Sequence, residues 1–169
     1  TDVDSSTQVF YGTSATALSG RVTVAGLSKS HGAVISGLAV GTTYYYQVRS
    51  AAPGLAAAMS EVKTFLAKDA APTITNLAAT TTQTTATVTW TTSKATDSTV
   101  WYGTTPDNLS ASATGNTGAT AHTVSIAGLT PGTTYYFVAQ SGSATIATAT
   151  SAPSFFATLT ANGSKVRTL

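Results

Sequence analysis

Two stretches of this chain are nearly the same sentence: Gly37-Leu38-Ala39-Val40-Gly41-Thr42-Thr43-Tyr44-Tyr45 and Gly128-Leu129-Thr130-Pro131-Gly132-Thr133-Thr134-Tyr135-Tyr136. The same separation of 91 positions relates Val9 to Val100, Tyr11 to Tyr102, His31 to His122 and Phe65 to Phe156. No insertion or deletion intervenes between the first pair and the last, so the chain holds a duplicated unit. A period of this length suits a sandwich domain rather than a solenoid repeat. Within each stretch Gly, and in the second copy Pro, set turn dihedrals, while the Thr and Tyr that follow favour a pleated, half-buried surface. Each copy therefore predicts a tight turn that opens directly into a strand.

In the second copy, strand signals recur every few residues between turn signals, as an all-β sandwich requires. Strands are predicted at 73–80, 86–92, 98–103, near 109–113, at 122–127, at 133–141 and within 149–158, with a turn at 105–108. Ala86, Val88 and Trp90 alternate with Thr87 and Thr89, which places the first three on one face. No helical periodicity interrupts the pattern. The predicted core and turn positions are Trp90, Tyr44, Tyr135, Leu38, Leu129, Gly41, Gly132 and Pro131.

Composition narrows the function classes. Only 8% of the residues are charged, against roughly 25% in an average soluble domain. The eight basic residues are scattered singly, so no basic stripe suggests a nucleic-acid partner. With no cysteine, neither a disulfide frame nor a cysteine-based zinc site is available. No apolar run is long enough to cross a membrane as a helix. A chain so poor in charge and rich in Thr, Ser and Ala suits an extracellular or cell-surface setting, and its first residues carry no leader pattern.

Leu129-Thr130-Pro131-Gly132-Thr133, continuing through Tyr135, Phe137 and Ala139, together with Trp90 and Val100-Trp101-Tyr102-Gly103, resembles a fibronectin type III domain. The variant Ser98-Thr99-Val100-Trp101-Tyr102-Gly103-Thr104-Thr105, followed by His122 and Gly128-Leu129, is similar to the fibronectin-like N-terminal domain of purple acid phosphatases. The resemblance implies two tandem fibronectin type III or immunoglobulin-like β-sandwiches. It also makes Tyr135, and Tyr44 by repetition, corner tyrosines whose hydroxyls bond back to backbone ahead of the strand.

The first copy starts at the equivalent of the third strand, since the counterpart of Trp90 would lie upstream of Thr1. The expected organisation is thus a partial domain at 1–70 lacking its first two strands, a complete domain at 71–160, and a tail or linker at 161–169. An incomplete sandwich exposes core and sheet edge. Three explanations stand side by side: a fragment of a longer protein, strands donated by another chain, or a reduced fold. The alternating Ser164-Lys165-Val166-Arg167-Thr168-Leu169 offers one candidate donor strand.

Catalytic constellations are absent from the pattern. The carboxylates Asp2, Asp4, Glu61, Asp69, Asp97 and Asp107 are expected at termini, linkers and loops rather than as a facing pair. His31 and His122, expected to open equivalent strands, have no ligand-spaced neighbours and take structural roles; no metal or other cofactor is expected. Asp2 and Asp4 lack the glycine turn and distant glutamate of a calcium loop. Asn108-Leu109-Ser110 and Asn162-Gly163-Ser164 carry the N-glycosylation pattern.

Strand alternation picks out a surface instead. With Val100, Tyr102, Tyr135 and Phe137 facing in, Trp101 and Tyr136 face out and are expected side by side, and Phe10 and Tyr45 repeat them in the first copy. These four form a candidate interaction surface for protein, by self-association or strand donation, or for carbohydrate. The function expected is a non-catalytic extracellular structural or adhesive module, part of a cell-surface assembly or filament. The alternative is an accessory or spacer segment of a secreted hydrolase, a phosphatase or carbohydrate-active enzyme, whose catalytic domain lies elsewhere.

Overall fold

The structure, a computed structural model, describes residues 1–161. It divides into two units, Thr1–Asp69 and Ala70–Leu169. Every regular element among the described residues is a strand, and no helix is long and apolar enough to cross a membrane. The candidate donor strand at 164–169 and the Asn162 glycosylation pattern lie outside the described residues.

The second unit is a two-sheet sandwich built around one long strand. Strands β6 (Ile74–Thr81), β7 (Thr85–Gly103), β8 (Ala111–Thr114), β9 (Ala119–Ala127), β10 (Thr134–Gly142), β11 (Ala149–Thr150) and β12 (Ser154–Ala157) follow in order. Two expected strands, 86–92 and 98–103, are the two halves of β7. Its first half pairs antiparallel with β6 and β9, and its second half with β8 and β10. The ladder with β9 shifts register between Thr91 and Thr96, a bulge that turns the strand from one sheet into the other without a loop. The inward phase survives the passage, since Ala86, Val88, Trp90, Thr92, Thr96, Ser98 and Val100 are all buried. Val124 and Ile126 from β9, Tyr135, Phe137 and Ala139 from β10, Phe156 from β12 and the turn residue Leu129 complete the core.

The first unit has one sheet. Its strands are β1 (Ser5–Gly12), β2 (Gly20–Ser28), β3 (Thr43–Ser50), β4 (Ala58–Met59) and β5 (Lys63–Leu66), ordered β2-β1-β3-β4 with β5 also on β3. This sheet corresponds to the one that β10 and the second half of β7 form in the second unit. The strand expected to open with His31 does not form: residues 31–36 belong to no ladder. The reason is physical rather than local. In the second unit that segment's partner is the first half of β7, and residues 1–69 include no strand at the corresponding place. The alternation nevertheless persists, with His31, Ala33 and Ile35 half-buried and Gly32, Val34 and Ser36 exposed.

Both turns that open into the tyrosine strands hold the expected shape. Gly41 and Gly132 adopt φ of 79° and 65°, the left-handed region in which a side chain is strained. The backbone N–H of Thr130 donates to the Tyr135 hydroxyl at 3.1 Å, and that of Ala39 to the Tyr44 hydroxyl at 3.2 Å.

Candidate functional site: an open core face and two aromatic outer faces

Tyr44, Tyr46, Val48 and Ser50 lie along one face of β3, and Thr7, Val9 and Tyr11 along the same face of β1, because side chains two apart in a strand share a side. Of their counterparts in the second unit, Val100, Phe137 and Ala139 lie under β6, β9 and the first half of β7 and are at most 1% exposed. Among the described residues, the first unit's face is covered only by the segment around 31–35. What remains is a groove of about 360 Å³ lined chiefly by Val9, His31, Ile35, Tyr46, Val48 and Phe65.

One end of the groove is polar and ordered. His31 is held by three hydroxyls: Thr1 Oγ1 at 2.9 Å and Ser5 Oγ at 3.3 Å from Nε2, and Thr7 Oγ1 at 2.6 Å from Nδ1. The second unit repeats much of this arrangement in its interior. Thr92 and Thr96, the counterparts of Thr1 and Ser5, lie 2.8 Å and 3.5 Å from His122 Nε2. There the imidazole is fully buried, its Nδ1 has no hydrogen-bond partner, and burial lowers its pKa, partly opposed by the carboxylate of Asp97. The indole of Trp90 stacks on His122, with centroids 5.1 Å apart, and donates from Nε1 to Ser141 Oγ at 2.8 Å.

The outer faces are arranged differently from expectation. Trp101 is 38% exposed and sits opposite Val138 in the β7–β10 ladder, while Tyr136 sits opposite Gly103. The two share a face but are not side by side, because the register sets them two positions apart along β10. Tyr136 neighbours Phe155 instead, at 6.3 Å between rings, and Phe155 is 60% exposed. Trp101 Nε1 donates to Gln140 Oε1 at 3.0 Å. In the first unit Phe10 opposes Gln47 and Tyr45 opposes Gly12, both half-buried, so this copy of the face is more polar.

Of the core and turn positions, Trp90, Leu129 and Tyr135 are buried, Leu38 and Tyr44 are half-buried, and Pro131, Gly41 and Gly132 lie at exposed turns. Asp97 corrects the expectation for the carboxylates. It lies within β7 and accepts from the backbone of Gly118 at 3.2 Å, since the run 93–97, which resembled a loop, is continuous strand. Among the described residues no three His, Cys, Asp or Glu side chains gather as a metal site.

Two features escaped the sequence reading although signals for both were present. Phe155 follows from the alternation that puts Phe156 inside. The hydroxyls around His31 follow from carrying the 91-residue offset to Thr1, Ser5, Thr7 and Ser50, which pairs them with Thr92, Thr96, Ser98 and Ser141.

Residues 72–158 match the family model described as purple acid phosphatase, N-terminal domain. No curated protein matches the chain in sequence. Among solved structures, the chain is similar to the FN1–FN3 domains of chicken CNTN1 at 14% identity and a TM-score of 0.46. That match covers 92% of this chain and 54% of the other, so the chain spans about half the length of that structure.

Proposed function

We propose that this chain, which belongs through residues 72–158 to the purple acid phosphatase N-terminal domain family, is a non-catalytic module of an extracellular or cell-surface assembly. It packs against further polypeptide through the core face that the described residues of its first unit leave half-covered. The carrying observation is that face: Tyr46, Val48 and Phe65 are only half-buried where their counterparts Phe137, Ala139 and Phe156 form a closed core. Fully covering a large apolar side chain is worth about 1.5–3 kcal/mol, so a partner lying over several of them has a substantial driving force. The charge-poor, hydroxyl-rich composition supports the extracellular setting, and the outward Trp101, Tyr136 and Phe155 give the second unit a contact surface of its own.

A second reading is favoured by the family match. As an accessory segment of a secreted hydrolase, the chain would dock or space a catalytic domain through the same faces. Light scattering coupled to size exclusion over a concentration series tests the first reading. Growth beyond the 17.0 kDa chain mass is expected. A persistent monomer whose first-unit amides resist hydrogen exchange as strongly as those of the second unit would overturn it. Recovery of a phosphatase or glycosidase domain joined to this sequence in a longer polypeptide would favour the second.

A further inference from the structure

We infer that the second unit carries a binding site for a short neutral glycan on the outer face of the sheet that β10 forms with the second half of β7. One sugar ring lies on the indole of Trp101 and the next in an adjoining polar pocket. The inference is independent of how the first unit's core face is covered. Asp97, Thr99 and Trp101 stand two apart on the same side of β7, with Ser98 and Val100 buried behind them. Across the ladder Gly142 lies opposite Asp97, Gln140 opposite Thr99 and Val138 opposite Trp101. Gly142 presents no side chain, so a hollow opens beside the carboxylate. Its volume is about 250 Å³, and its lining includes Asp97, Thr99, Gln140, Gly142, Ser143 and Thr148.

The lining matches the hydroxyl groups of a sugar. Asp97 accepts from the Gly118 N–H through Oδ1, while its other oxygen and the hydroxyls of Thr99 and Thr148 make no hydrogen bond with the described residues. A carboxylate oxygen takes hydroxyl donors in short, charge-assisted bonds, and a Thr hydroxyl both donates and accepts, as sugar hydroxyls do. No cationic side chain lines the pocket, and its one carboxylate repels acidic sugars. Trp101 supplies the other half of the chemistry. Its Nε1 donates to Gln140 Oε1 at 3.0 Å, and Gln140 Nε2 donates in turn to Thr150 Oγ1 at 3.2 Å. Gln140 stands on the pocket side of Val138, so the indole leans toward the pocket with its polar edge already satisfied. What it offers a ligand is the ring face, an electron-rich surface that suits the weakly positive C–H groups of a pyranose. At roughly 3.3–3.4 Å per residue, Asp97 and Trp101 are about 13 Å apart along β7, a span that fits two linked rings.

The duplicated scaffold shows that the fold does not require these groups. At the same offset of 91 the first unit has Ser6, Gln8, Ala51, Ala52 and Ala57 in place of Asp97, Thr99, Gly142, Ser143 and Thr148. Phe10 replaces Trp101 and Arg49 replaces Gln140. Arg49 Nη1 donates to Gln8 Oε1 at 3.1 Å, so side chains bridge the two strands where the second unit has its hollow. Tyr136 and Phe155 lie beyond Val138, on the far side of Trp101 from the pocket, and take no part.

The test titrates the intact chain with cellotetraose, triacetylchitotriose and mannotriose as neutral probes, tetragalacturonate as the acidic probe and choline as a cation, following amide and indole resonances by NMR. At least one neutral probe is expected to shift the Trp101 indole N–H and the amides of residues 97–99, 140–143 and 148 while leaving the Trp90 indole in place. The acidic probe should shift none of them. Asp97→Asn retains the acceptor for Gly118 and should weaken the binding about tenfold or more, as should Trp101→Ala, while Phe155→Ser leaves it unchanged. If no neutral probe shifts these resonances at millimolar concentration in a chain whose second-unit amides are dispersed as in a folded protein, the inference is overturned. Equal responses to neutral and acidic probes overturn it too, as does a response to choline alone, which would mark a cation site. Light scattering of the same variants separates this site from the proposed packing. Should Asp97→Asn abolish self-association and leave sugar binding intact, the face is a protein contact and the glycan site falls; loss of sugar binding with association unchanged supports the site and leaves the packing untouched.

Discussion

Trp90 and His122 lie face to face in the centre of the second unit, ring planes 21° apart, each from a different strand of the same sheet and each fully buried. Replacing Trp90 by Ala removes the stack, leaves the Ser141 hydroxyl without its donor and opens a void that the surrounding β-branched side chains cannot fill. The expected cost is about 3–5 kcal/mol. Guanidinium titration followed by near-ultraviolet circular dichroism should show the second unit's transition moving to markedly lower denaturant. An unchanged midpoint would mean that the indole lies outside the core.

The same pair makes stability depend on pH. Burial lowers the pKa of His122 from 6.5, and Asp97 offsets only part of that. The folded unit therefore holds the ring neutral where the unfolded chain would take up a proton. Stability is complete above pH 6.5, declines as the pH falls below it, and levels off once the folded-state pKa is passed. Asp97→Asn removes the opposing attraction, so the decline should continue to lower pH and end deeper. Thermal melts between pH 7.5 and 5, a range of about the usual histidine titration, check both; a flat profile in the parent chain would count against a neutral buried imidazole.

Thr158 clamps the turn before β10 more tightly than the corner tyrosine does. Its fully buried hydroxyl accepts from the Thr133 N–H at 2.9 Å and donates to the Thr130 carbonyl at 2.7 Å. Thr158→Val keeps the shape but leaves both groups unpartnered, and should cost about 1–3 kcal/mol. Tyr135→Phe loses one bond at the edge of the same turn and should cost about 0.5–1.5 kcal/mol. Chemical denaturation of the two variants should rank them in that order.

Exposed aromatics on the outer face should matter little to folding. Trp101→Ser and Phe155→Ser each remove one side of a cross-strand contact, worth roughly 0.2–1 kcal/mol. If the face is a contact surface, the double variant shifts the association seen by light scattering toward monomer while its melting temperature stays close to the parent's. A large loss of stability with unchanged association would make these residues structural.

The sandwich of the second unit was legible because alternation and turn chemistry are local: Trp90, Tyr135 and Phe137 declare their side within a few residues. What was not legible depended on pairing. Ser93, Lys94 and Ala95 resemble a loop, yet β7 continues through them because ladders on both flanks carry it past the bulge. Trp101 and Tyr136 belong to one face by parity, but their separation is set by a register that no single strand reveals. Residues 31–36 carry the same alternation as 122–127 and still form no strand, since a strand requires a neighbour. The hydroxyls around His31 are carried by the repeat itself, which pairs Thr1 and Ser5 with Thr92 and Thr96.

The continuity of β7 has a mechanical consequence. A sandwich whose two layers meet only through loops can part by letting one layer slide away while the loops pay out. Here a single extended segment is hydrogen-bonded into both layers, so they cannot drift apart until one half of it is stripped from its neighbours. Pulled from its ends, the second unit should hold its length and then give way in one event.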